Sequence, residues 1–236
     1  QETQAAKKKK EESLIQIKQE KAMLLDNESK EKTNLQKQQT EKDKVVAQLK
    51  KKEKQINEEI NRKIKRQKAI DAQIAKIIEA ELAKSRKTAS PKAEAANVAL
   101  STDFANNQGR LPWPVDKGSI ITHFGSYSHP EVSSVKINNN GVNILTDRGA
   151  QVRAIFKGKV STVSMIEGAN VVIISHGSYL TVYSNLGSVC VKAGDEVNTR
   201  QVIGSMKSDP NDSKSELHFE IRKERTPLNP ALWITR

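Results

Sequence analysis

The side chains best suited to chemistry gather near the C-terminus, in Glu216-Leu217-His218-Phe219-Glu220-Ile221-Arg222. Imidazole and carboxylate groups are the donors that zinc uses and the groups that move protons in hydrolysis. Alternation along a strand puts Glu216, His218, Glu220 and Arg222 on one face. A carboxylate plus one imidazole is short of the three protein ligands a catalytic zinc usually takes. The other histidines, His123, His129 and His176, each stand near a turn, where an imidazole has an ordinary structural role. Cys190 is the single cysteine, so no disulfide forms within the chain.

The elements that must position these groups change character along the chain. From Ser119 onward the apolar pattern has period two. It predicts strands at 119–124, 142–146, 152–155, 159–165, 170–175, 180–184, 201–206 and 217–222, punctuated by glycines. Eight short strands with almost no helix argue for a compact antiparallel β fold. Residues 1–90 are the opposite case. They contain no Gly, Pro or aromatic residue and are rich in Lys, Glu, Gln, Ala, Leu and Ile, which predicts helix. Apolar residues recur there on a seven-residue grid at Leu14, Leu35, Leu49, Ile56, Ile70 and Ile77. A second row (Ile17, Leu24, Val45) later shifts to Ile60 and Ile74, the mark of a stutter in a coiled coil. Lys21, Glu28, Lys42 and Lys63 on the first grid weaken the seam, which needs another helix to cover it.

The expected fold class is therefore α+β in separate parts. A coiled-coil helix occupies residues 1–86, a linker 87–109, and a mainly antiparallel β domain 110–236. Residues 1–90 hold 24 Lys and Arg against 15 Asp and Glu, a net +9 of the chain's +12. The acids are interleaved with the bases and no aromatic offers a stacking surface, so nucleic acid is not an expected partner. No run approaches 18 apolar residues, so nothing reads as a membrane span. Within the linker, Pro91 breaks the first helix, Ala93–Ala99 recovers helix propensity, and Ser101 or Thr102 is placed to cap a further turn. Leu100 and Phe104, four residues apart, make this segment either a plain linker or an arm that folds back over a groove of the β domain.

The order of segments from Pro112-Trp113-Pro114 through Ile121-Thr122-His123-Phe124-Gly125, Asn140-Gly141-Val142-Asn143-Ile144, Ile174-Ser175-His176-Gly177 and Leu217-His218-Phe219-Glu220-Ile221-Arg222 to Leu228-Asn229-Pro230 resembles the LytM/lysostaphin-like zinc metallopeptidase domain. The resemblance covers nearly all of residues 110–236. It implies a zinc held by an H-x-x-x-D motif and the second His of H-x-H, with two further histidines serving the chemistry. Here those positions carry Asn139, Asn143, Glu216, His218 and Asn185, and only His218 keeps the family's residue type. Neutral carboxamides are poor zinc ligands, so neither a metal, a cofactor nor hydrolysis is expected.

Such a domain behind a long helix resembles the EnvC-like murein hydrolase activators. That resemblance implies a non-catalytic, exported, periplasmic protein; a start at Gln1 is what either removal of a signal peptide or a trimmed chain would leave. It implies that the domain switches on a peptidoglycan amidase during daughter-cell separation, while the coiled coil docks to a membrane cell-division complex of the FtsEX type. A homodimer through the helix is another way to cover its seam. Asn140, Asn143, Val171, His218 and Arg222 are the candidate partner-binding groove, with Ile173 beside Val171. Leu100 and Phe104 are the candidate regulatory arm, expected to pack on that groove. The alternative function is a structural protein that holds peptidoglycan in the old substrate cleft.

Overall fold

Helix-forming residues without a break fill the start of the chain, and the computed structural model makes them one helix, α1 (Glu2–Thr88). The structure describes residues 2–88, 90–128, 136–207 and 213–235. Packing divides the chain into two units, residues 1–61 and 62–236. The first unit is helix alone, and its apolar row, including Leu14, Leu24, Leu35, Leu49 and Ile56, is exposed. The last part of α1 belongs to the second unit, as does α2 (Pro91–Asn106).

Helix α2 starts where the sequence says it must. Ser90 is its N-cap, accepting from the Ala93 amide at 3.3 Å, and Pro91 occupies the first turn. It then runs unbroken to Asn106, so Ser101 and Thr102 do not cap a new turn as expected. Their hydroxyls donate back to the carbonyls of Asn97 and Val98, and helical bonding continues through them.

The strands are β1 (Leu111–Pro112), β2 (Ser119–Thr122), β3 (Gly125–Ser128), β4 (Lys136–Asn139), β5 (Val142–Asp147), β6 (Gln151–Arg153), β7 (Gly158–Ile166), β8 (Ala169–His176), β9 (Tyr179–Val189), β10 (Glu196–Val197), β11 (Val202–Met206), β12 (Lys214–Lys223), β13 (Thr226–Leu228) and β14 (Ile234–Thr235). The main sheet runs β10-β7-β8-β9-β12-β5-β2, with β11 joining β9 and β6, and β13 flanking β12. Its pairings are all antiparallel. The β3–β4 hairpin stands beside it, and β1 pairs with β14 in parallel. Each of the eight expected strands is present; the short β1, β3, β4, β10, β13 and β14 carry too few residues for a period to be read.

Alternation gives the sheet two buried faces. Val172, Ile174, Tyr183, Leu217, Phe219 and Ile221 point into the main core, with Ile203 and Trp233 among their neighbours. Phe104 of α2 fills this same core. Its ring lies 4.8 Å from His176, 4.9 Å from Tyr179, 5.3 Å from Trp233 and 5.5 Å from Phe156. The other face carries Val171, Ile173, Leu180 and Val182, and these pack against Ile70, Ile74 and Ile78 of α1. Burying three isoleucines contributes about 1.5–3 kcal/mol each before the entropy of ordering the helix is subtracted.

Candidate functional site

Strand β12 lies between β5 and β9, with His218 opposite Asn143 on one side and Ser184 on the other. Because Leu217, Phe219 and Ile221 take the core side, Glu216, His218, Glu220 and Arg222 share the face that α1 covers. The turn from β4 into β5 brings in the asparagines. Asn139 Oδ1 accepts from the Gly141 amide at 3.2 Å, and a Cβ on Gly141 would lie 2.2 Å from the Phe219 carbonyl oxygen. Glycine is required there so that β5 can close on β12.

These side chains form one continuous polar chain. The Asn143 amide donates to Glu216, which fixes Asn143 Oδ1 as an acceptor for His218 Nδ1 at 2.7 Å. His218 Nε2 lies 3.0 Å from Glu220 Oε1, and Arg222 donates to Glu220 Oε2 at 2.6 Å and to the Arg225 carbonyl at 3.1 Å. Both ring nitrogens of His218 thus face acceptor oxygens, an arrangement that favours the imidazolium. Burial opposes that charge, but the hydrogen bond and charge of Glu220 outweigh it and raise the His218 pKa. Burial likewise opposes ionisation of Glu220, yet His218 and Arg222 together hold its pKa below the usual value.

The lid over this face comes from α1. Asn140 Nδ2 donates to Asp71 at 3.3 Å, and Gln67 donates to the same carboxylate at 2.8 Å. Arg66 donates to the Glu167 carbonyl at 2.6 Å, Ser161 to Glu81 at 2.8 Å, and Arg225 pairs with Glu79. Burial raises the Asp71 pKa, against the pull of Gln67 and His218. Asp71 was not among the candidates read from sequence. Its signal was a carboxylate beside the isoleucine stripe Ile60, Ile64, Ile70, Ile74 and Ile78, directly after Ile70 and three residues before Ile74.

The structure thus brings together Asn139, Asn140, Asn143, Glu216, His218 and Arg222, with Val171 and Ile173 as part of the apolar wall. Asn185 follows Ser184, the register partner of His218, in a left-handed turn of the backbone with φ 68. His176 is a core residue bonded to the Lys157 carbonyl and Thr181, His123 is exposed, and His129 lies outside the described residues. One expectation is corrected. Leu100 and Phe104 do not lie on this face: Phe104 is buried in the main core on the other side of the sheet, with Leu100 packed against that core. Among the described residues the aromatic partners of Phe104 lie there, whereas the other face offers aliphatic side chains, against which the isoleucines of α1 pack.

At the positions that the sequence resemblance makes zinc ligands, Asn139 and Asn143 offer only neutral carboxamides, and His218 Nδ1 bonds directly to Asn143, where a shared metal would separate them. Asp71, His218 and Glu220 do bring three ligand atoms within 4.8 Å of one another. Their lone pairs are committed elsewhere, Asp71 to Gln67 and Asn140, and Glu220 to His218 and the guanidinium of Arg222. A guanidinium at this distance also repels a dication. The donors do not fit a zinc ion.

Residues 137–230 match Peptidase family M23. Murein hydrolase activator EnvC of Escherichia coli is 28% identical over 131 residues, 55% of this chain and 30% of EnvC. Cell division protein DipM of Caulobacter vibrioides is 28% identical over 142 residues, 56% of this chain and 22% of DipM. A zinc containing peptidase from Vibrio cholerae is 29% identical with a TM-score of 0.45, over 52% of this chain and 40% of the other. The chain therefore spans less than a third of the length of these two curated relatives. Among the described residues, no helix is long and apolar enough to cross a membrane.

Proposed function

From a β domain of the M23, LytM-like type whose ligand positions carry carboxamides, we infer that this chain is a non-catalytic activator of peptidoglycan amidases in cell division. The observation that carries the reading is the direct His218–Asn143 hydrogen bond in the middle of a large apolar-walled face. A face that cannot hold the metal keeps its buried polar side chains and aliphatic wall, which suit protein recognition. Two relatives with the same kind of domain carry the names murein hydrolase activator and cell division protein. On this reading the protein works in the periplasm, and the amidase binds the face lined by Asn140, Asn143, Val171, His218 and Arg222.

Residues 62–83 of α1 hold that face closed, so partner access requires the helix to leave. The exposed apolar row of residues 14–56 is the part that would dock to a membrane cell-division complex and draw the helix away. The experiment is amidase activity on purified murein with the full chain, with Ile74→Lys, and with Ile74→Lys plus Arg222→Glu. Ile74 is fully buried against the sheet, so a lysine there opens the face. Activation should be weak, strong and absent in that order. Strong lysis by the chain alone, or equal activation by all three proteins, would refute the reading.

A further inference from the structure

The buried charges on the covered face do not balance without the helix; Glu216 on the same face is exposed and bonded to Asn143. Arg222 and the His218 imidazolium are both buried, and Glu220 between them is one carboxylate for two cations. Asp71 supplies the second. It reaches Asn140 at 3.3 Å and lies within 4.8 Å of His218 and Glu220. Even so it leaves a donor unused, because Arg222 Nε is buried without a hydrogen-bond partner. A guanidinium nitrogen left buried and unsatisfied, on a face whose helix carboxylate bonds Gln67 and Asn140 instead, is the geometry of a site filled by a substitute.

We propose that Asn140, His218 and Arg222 form a carboxylate subsite, that Asp71 is its internal ligand, and that the amidase which enters the opened groove presents an acidic side chain at that point, between aliphatic side chains. This deepens the activator reading and rests on it. The flanking chemistry follows from what α1 already supplies. Ile70 and Ile74 sit on Val171, Ile173, Leu180 and Val182 on either side of Asp71, so an occupant needs both an aliphatic row and one acid within it. A purely apolar occupant would leave the second cation buried and unpaired, which makes the acid a selectivity element.

The probe is a fluorescent synthetic peptide with the sequence of residues 62–83, offered to the full chain carrying Ile74→Lys. The parent peptide is expected to bind about tenfold more tightly than its Asp71→Asn counterpart, the loss of a charged hydrogen bond. That preference should vanish when the protein also carries Arg222→Gln, or Asn140→Ala should the arginine variant fail to fold. The parent peptide should also displace a bound amidase more effectively than the Asn peptide. Equal affinity for the two peptides, or no binding of either to folded protein, overturns the subsite. Discrimination between the peptides without any amidase binding would instead sink the activator reading and leave the subsite standing.

Discussion

His218 and Asn143 face each other across β12 and β5, and 2.7 Å separates the imidazole Nδ1 from the amide oxygen. A hydrogen bond that short takes the space in which two zinc ligands would hold their metal apart. The parent chain is therefore expected to retain no zinc after dialysis. Asn139→His with Asn143→Asp would restore an imidazole and a carboxylate around His218, and zinc content measured by atomic emission should rise toward one per chain. An unchanged zinc content in the double variant would show that Glu216 or the α1 lid, rather than the asparagines, excludes the metal.

The β domain and the helix were legible because both rest on local patterns. Alternation marks β7, β8, β9 and β12, and the lack of Gly and Pro marks α1. The resemblance pointed to Asn139, Asn143 and His218 through their spacing, and the structure brings these three side chains into contact. Which helix covers which face was not legible. Leu100 with Phe104, and Ile70 with Ile74, are equally good apolar pairs in sequence. What separates them is shape: an aromatic box of Phe156, His176, Tyr179 and Trp233 on one face and a β-branched aliphatic wall on the other.

Phe104 accordingly anchors α2 as part of the domain's core. Phe104→Ala should cost about 3–5 kcal/mol of stability, as for other fully buried aromatics. Gly177 offers an independent check. Its φ is +79, and a Cβ there would lie 2.2 Å from Asn97 O and Ser101 Oγ, so Gly177→Ala should lever α2 off the sheet. Chemical denaturation of both variants should show lowered midpoints. Amidase affinity should fall with stability, and a rise in either variant would mean that α2 restrains the partner after all.

His176 sets a pH dependence of known sign. Burial pushes its pKa down to about 4, with the Lys157 carbonyl pulling the other way, while in the unfolded chain it returns to 6.5. Above pH 6.5 the ring is neutral in both states and contributes no slope. As pH falls from 6.5 to about 4 the unfolded chain binds the proton first, so stability drops by about 3 kcal/mol over that window. His176→Gln should be less stable at neutral pH and show a shallower fall. Parallel urea titrations of the two proteins at pH 7.5, 6 and 5 (values chosen to bracket the window) measure the difference in slope; identical slopes would put the His176 proton elsewhere.

The grip of α1 on the sheet should be tunable in steps. Ile78 is 2% exposed and packs with Ile70 and Ile74 on the aliphatic wall. Ile78→Val removes one methylene and should cost about 0.5–1.5 kcal/mol, whereas Ile78→Ala should cost about 2–5 kcal/mol. If the closed and open states exchange freely, that energy goes into the opening equilibrium at about a factor of ten per 1.4 kcal/mol. Hydrogen exchange in residues 62–83 should therefore speed up several-fold in the valine variant and thirtyfold or more in the alanine variant, both about the size these energies imply. Amides of β8, β9 and β12 should hold their protection, because Val172, Tyr183 and Phe219 are secured from the opposite face. Amidase affinity should climb in the same order until the open state dominates, then level off. Faster exchange with no gain in affinity would separate helix release from partner binding and place the amidase on another surface.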